Sequence, residues 1–269
     1  MTIIHRRTLL SGLGALGFAA SAQLGTVTSA VAQTVPAVPT TPMPRLRRTH
    51  ELVSLTSVHT DRPRVALTFD DGPHPQNTPH LLDILARYRV KATFYVIGQN
   101  ARRYPEIVRR IVAEGHELGN HTWTHPVLSR QSDSTILTEI DRTQQMIWDT
   151  VGAVPVTMRP PYGSFTHRQM QMLFDQRNLS SVVWSVDPED WRRPGVSVVA
   201  QRMIQGARPG AVILAHDIHG PTIRAVPAAL DGILARGLQP VTMSELLAWP
   251  HWGPRGLRYV GRATTPYQG

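Results

Sequence analysis

From Val65 onward the chain alternates short apolar runs with longer amphipathic ones, and that alternation leaves few folds open. The strand-like runs are VALTF (65–69), ATFYVI (92–97), HELGNH (116–121), VTMRP (156–160), SSVVWSV (180–186), AVILAH (211–216) and QPVTM (239–243). Between them TPHLLDILARYR, PEIVRRIVAEG, STILTEIDRTQQMIWDTVG, HRQMQMLFDQR, VVAQRMIQG and AALDGILARG read as helices, with Pro105 at a helix start. Parallel strands need crossover helices, and seven such units favour barrel-like closure over an open sheet. No segment copies its neighbour closely enough for a solenoid. The expected class is α/β, with about seven parallel strands closed into a (β/α) barrel.

Such a barrel carries its working residues at the C-terminal ends of its strands. Polar residues of catalytic type gather there: Asp70 and Asp71 end the first run, His121 the third and Arg159 the fourth. Asp187 and Asp190 follow the fifth, and His216 with Asp217 ends the sixth. In TFDDGP the two carboxylates are adjacent, and strand alternation turns successive side chains to opposite faces. Asp70 and Asp71 are therefore expected to do different jobs.

The absence of Cys removes disulfides, thiolate metal sites and a Cys nucleophile, so any metal must be held by His, Asp or Glu. The formal charge is +9, and all but one of the 28 Lys and Arg residues are Arg, the exception being Lys91. They are dispersed, with no basic helix and no aromatic-basic signature, so no nucleic-acid partner is expected.

The first 32 residues pair Arg6 with Arg7, continue through a Gly-rich apolar stretch without acids, and reach Ala30-Val31-Ala32 before Gln33. That pattern reads as a twin-arginine-like export signal cleaved near Ala32. Its interruptions make a poor spanning helix, so no stable membrane insertion is expected after cleavage. The product would sit in the periplasm or outside the cell. A Pro/Thr-rich linker is expected over 33–63, the folded domain over 64–248, and a C-terminal tail over 249–269 that caps the barrel or touches glycan. A monomer is expected.

HTWTH spaces His121 and His125 by four residues, which on one helical turn would put both imidazoles on the same side. With a strand-end Asp they make a two-His, one-carboxylate set with open positions for water and substrate. Such a set holds Zn²⁺ for hydrolysis or Fe²⁺ for oxygen chemistry. A spare carboxylate, an Arg and a second strand-end His nearby favour proton-moving hydrolysis. Trp123, between the two histidines, either stacks on a sugar or fills space beneath the site.

TFDDGP, HTWTH, RPPYG, DPEDW and ILAHD, in that order between about Val65 and Leu247, resemble the five motifs of the polysaccharide deacetylases, the NodB-homology domains of carbohydrate esterase family four. The resemblance implies a distorted (β/α) barrel and metal-dependent removal of acetyl groups from N-acetylglucosamine units, as in chitooligosaccharides or peptidoglycan. By that likeness Asp71, His121 and His125 hold a divalent metal, Zn²⁺ first, with Co²⁺ or Ni²⁺ as alternatives. Asp70 would be the general base, Arg159 would orient it, and the backbone N–H of Tyr162 would help hold the oxyanion. Asp190 would set the state of His216, the general acid, while Trp191 and Leu214 line the acetyl pocket. Plain packing remains open for Trp191 and Leu214, as does an Arg159–Asp190 ion pair. Two other functions stay open: an O-deacetylase of xylan or another acetylated polysaccharide, and a catalytically silent carbohydrate-binding homologue.

Overall fold

The computed structural model describes residues 51–250 together with Trp252 and Gly253. The expected export signal, the first part of the linker and the tail beyond Gly253 lie outside the described residues.

All seven expected strands form, with an eighth ahead of them. They are β1 (Ser54–Leu55), β2 (Arg64–Asp70), β3 (Thr93–Val96), β4 (Glu117–Asn120), β5 (Thr157–Met158), β6 (Ser180–Val182), β7 (Val212–Ile213) and β8 (Gln239–Val241). The strand order is β1-β6-β5-β4-β3-β2-β7, with β8 also on β2, and every ladder is parallel. Ser57, beyond β1, bridges Ala211 and Val186, beyond β6, bridges Ile213 of β7, which brings the two ends of the path together. The expected barrel is thus present, and it is distorted because its last seam is two isolated bridges instead of a ladder. The linker reading of 33–63 is corrected at its end: Ser54 pairs with Ser181 and Leu55 with Val182, so this stretch belongs to the sheet.

The helices are α1 (Asn77–Tyr88), α2 (Gly98–Arg103), α3 (Pro105–Ala113), α4 (Asp133–Val151), α5 (His167–Arg177), α6 (Val196–Gly206), α7 (Gly220–Ala235) and α8 (Met243–Leu246). Pro105 opens α3, where its missing N–H has no partner to lose. A Thr166/Gln169 capping box opens α5 at the expected position. The helix expected over 228–237 is longer, starting at Gly220 and carrying Pro227 inside. Its buried Ile223, Val226, Leu230 and Ile233 hold it to the core across that proline.

Alternation along β2 explains both the core and the site. Val65, Leu67 and Phe69 face the helices and join the main apolar cluster, while Ala66 joins the smaller cluster that contains Tyr95, Val182, Val212 and Met243. Each such aliphatic or aromatic side chain contributes about 1.5–3 kcal/mol by burial. Thr68 and Asp70 continue the Ala66 side, so an acid arrives in the barrel mouth on a strand anchored by its apolar neighbours.

Candidate active site

The strand ends at Asp70, and Asp71 turns into the left-handed region with a φ of 75°. The two carboxylates therefore separate through a turn, not through the strand alternation expected for them. Asp70 is buried, with Oδ1 on Arg159 Nη1 at 2.8 Å and Oδ2 3.8 Å from His121 Nε2. Asp71 places Oδ1 3.3 Å from His121 Nε2 and 3.2 Å from His125 Nε2.

The HTWTH segment is a loop and not the helical turn its spacing suggested. Thr122 and His125 both have positive φ, at 66° and 62°, which breaks any helix. Asn120 Oδ1 accepts the Thr122 N–H at 2.8 Å, and Thr122 Oγ1 accepts the His125 N–H at 3.0 Å. His121 Nδ1 meets the Arg159 carbonyl at 2.7 Å, which fixes the tautomer with a proton on Nδ1 and leaves Nε2 as a lone-pair donor.

One ligand atom each from Asp71, His121 and His125 lie within 4.8 Å of one another. The buried Asp71 Oδ1 has no hydrogen bond of good geometry despite two nearby imidazole nitrogens. Three such atoms converging on a point, with one orphaned oxygen, fit a borderline divalent cation. Burial opposes ionisation of Asp71, yet the two histidines hold its carboxyl well below the usual range.

Arg159 is fully buried and spends its guanidinium on this site. Its Nε and Nη2 donate to the Val182 and Val183 carbonyls, each at 3.1 Å, and Nη1 donates to Thr68 Oγ1 and Asp70 Oδ1, each at 2.8 Å. Its carbon Cζ lies 4.3 Å from the centre of the Tyr95 ring. The alternative Arg159–Asp190 ion pair does not form: Asp190 serves His216. Its Oδ1 is 2.7 Å from His216 Nδ1, and its Oδ2 accepts the His216 backbone N–H and the Thr222 hydroxyl, both at 2.8 Å. Burial alone would lower the His216 pKa, but the hydrogen bond and charge of Asp190, with the charges of Asp70 and Asp71, push it up to about 9. Asp190 is correspondingly held below its ordinary value against the cost of burial. A parallel bridge pairs Asp70 with His216, so the two groups occupy neighbouring strand ends.

Tyr162 takes a φ of 60° on the turn after β5, is 67% exposed, and sets its ring edge-on to His125 at 4.7 Å. Trp191 is also exposed, whereas Leu214, two residues before His216, is buried at 2%. Trp123 is buried at 4% and pinned: a Cβ on Gly98 would collide with its indole, and the Arg102 and Arg142 guanidiniums lie 5.1 and 4.3 Å from its ring centre. It fills space, as one of its two open readings had it. His116 is buried with Nδ1 on the Ala92 N–H, and burial lowers its pKa to about 3, so it is packing. Thr68, inside TFDDGP but given no role there, also serves the site, as do Asn120, Thr222 and Glu139 outside the motifs; the Glu139 carboxylate takes three hydrogen bonds from Trp123 and Thr124.

Residues 57–175 match the family described as polysaccharide deacetylase. The peptidoglycan-N-acetylglucosamine deacetylase PgdA of Listeria monocytogenes is 40% identical over 183 residues, which span 68% of this chain and 38% of that protein. The chain thus spans well under half of that relative's length. A chitooligosaccharide deacetylase of Bradyrhizobium is 40% identical over 197 residues, covering 68% of this chain and 90% of that protein. The crystal structure of the Bc1960 peptidoglycan N-acetylglucosamine deacetylase superposes with a TM-score of 0.71 at 32% identity, covering 75% of this chain and 95% of that one. Such identity across nearly the whole Bradyrhizobium relative, on a shared barrel, makes this chain a member of the polysaccharide deacetylase family.

Proposed function

We propose that the protein hydrolyses the acetamide of N-acetylglucosamine units in a glycan such as peptidoglycan or chitooligosaccharide, releasing acetate. The observation that carries this reading is the flanking of one Asp-His-His set by two groups with buried partners of their own: Asp70 on Arg159 and His216 on Asp190. A divalent metal, Zn²⁺ in this reading, would be held by Asp71, His121 and His125. When bound it supplies Lewis acidity, which lowers the pKa of a coordinated water towards about 7.

The chain's own residues divide the proton work. Asp70, aimed by Arg159, accepts the proton of the attacking water. His216 is protonated at neutral pH and gives its proton to the departing nitrogen, which an amide needs before the tetrahedral intermediate collapses. Asp190 occupies Nδ1, so the proton to be given is the one on Nε2. The Tyr162 backbone N–H helps hold the oxyanion, and Trp191 with Leu214 lines the acetyl pocket. This division belongs to the family likeness as much as to the geometry.

Export is part of the same proposal, resting on Arg6-Arg7 and Ala30–Ala32; among the described residues no helix is long and apolar enough to cross a membrane. Acetate release from chitooligosaccharide, peptidoglycan and acetylxylan, compared with and without added Zn²⁺, tests the function. Release from the first two that depends on metal and falls about 10²–10⁴-fold in H216A is expected. Release from acetylxylan alone would identify an O-deacetylase, and metal binding without any release would identify a silent homologue.

A further inference from the structure

Glu139 of α4 is buried beneath the loop that carries the two histidines, and no proton transfer proposed above uses it. Its Oε2 accepts the backbone N–H groups of Trp123 at 2.9 Å and Thr124 at 2.7 Å, and its Oε1 accepts the Thr124 hydroxyl at 2.8 Å. All three donors belong to residues between His121 and His125. The opposite edge of the loop is held by α2, where the Gly98 and Gln99 N–H groups donate to the Thr122 and Trp123 carbonyls at 2.9 and 3.2 Å. The loop needs such a grip, because positive φ at the β-branched Thr122 and at His125 persists only where the surroundings impose it.

The two histidines differ in how they are aimed. His121 has a ring anchor in the Arg159 carbonyl at 2.7 Å. His125 is aimed by its backbone, with the Tyr162 ring edge beside it. We infer that Glu139 is a positioning residue for the metal: by gripping the Trp123 and Thr124 amides it sets the direction of the His125 imidazole and thereby the affinity of the three-ligand set. It touches no ligand side chain and acts through the loop. The inference rests on the metal reading of Asp71, His121 and His125.

Hydrogen-bond geometry, and not negative charge, is what the loop requires. In E139Q the amide oxygen takes both N–H groups as Oε2 does, and the Thr124 hydroxyl turns to accept from the amide nitrogen. E139D keeps the charge and withdraws the acceptors by one methylene, and E139A removes them. Zn²⁺ affinity, measured by competition with a chromogenic chelator, should fall about 10- to 100-fold in E139A and E139D and stay close to the parent in E139Q. A purely structural role would lower the unfolding midpoint in EDTA and leave the affinity of the folded protein unchanged. If E139A does not fold, E139D and E139Q carry the comparison. Parent-like affinity in E139D, or a loss in E139Q as large as in E139D, would overturn the inference. D71A is the control: a parent that binds no more Zn²⁺ than D71A does sinks the metal reading itself, and the inference with it.

Discussion

Asp190 grips His216 at two points, taking the ring Nδ1 with one oxygen at 2.7 Å and the backbone N–H with the other at 2.8 Å. The imidazole is thus fixed in tautomer and direction by a buried anion, and its pKa is raised to about 9, above the ordinary 6.5. A raised value means that the protonated form is favoured, so the acid is present at neutral pH and is lost as pH climbs through that value. D190N removes the charge while keeping the shape. Its alkaline limb of kcat/KM should move to lower pH, with a fall of about 10²–10⁴ in rate. A dication bound at Asp71 lowers both profiles without changing the sign of the difference. An alkaline limb that stays in place in D190N would show that His216 is not the titrating acid.

Asp70 and Asp71 are adjacent in the chain and, apart from His121, meet different side chains. Asp71 faces two imidazole nitrogens, and Asp70 faces a guanidinium. D71A should lose metal, measured as bound Zn²⁺ per chain after desalting. D70N should keep its metal and lose turnover, since an amide cannot take a proton from water. Equal loss of metal from both variants would collapse the separation of roles.

Much of this is legible in the sequence. Most of the seven runs mark strands because buried parallel strands are largely apolar, HELGNH with its single Leu118 being the exception, and the polar strand ends mark the barrel mouth. Ser54–Leu55 was missed because two residues at the end of a polar stretch carry no period. The turn at Asp71 and the loop at HTWTH were misread for one shared reason: both depend on positive φ at residues that usually avoid it. Glu139 is invisible in the sequence because only the fold brings it to two backbone amides and the Thr124 hydroxyl, and a helix Glu facing them looks in sequence like one facing water. Thr222 was hidden in the same way, since only the fold brings it to Asp190.

Arg159 also makes a stability prediction. Its five-way engagement with Val182, Val183, Thr68, Asp70 and the Tyr95 ring lies wholly inside the barrel. R159A would strand the Asp70 carboxylate without its cation and leave two carbonyls unpaired, a loss of about 3–5 kcal/mol. R159K keeps the charge but cannot reproduce the planar fork, so it should fall between the two. Urea unfolding in EDTA measures this apart from metal binding. A loss below about 1 kcal/mol in R159A, the range of an exposed pair, would mean that the network is not a structural unit.

Trp123 separates packing from sugar binding. Its indole lies against Gly98 and beneath the Arg102 and Arg142 guanidiniums with 4% of its surface exposed, so little of it is left for a ligand. W123F shrinks the ring without touching the backbone N–H that Glu139 holds. The cavity should cost about 1–3 kcal/mol of stability, and partial loss of the cation–π contacts somewhat less. KM for an N-acetylglucosamine oligomer should stay within experimental error of the parent, because no stacked sugar is lost. A rise in KM of about tenfold, which corresponds to the stacking energy of one well-placed ring, with unchanged stability would return Trp123 to the glycan and contradict its burial.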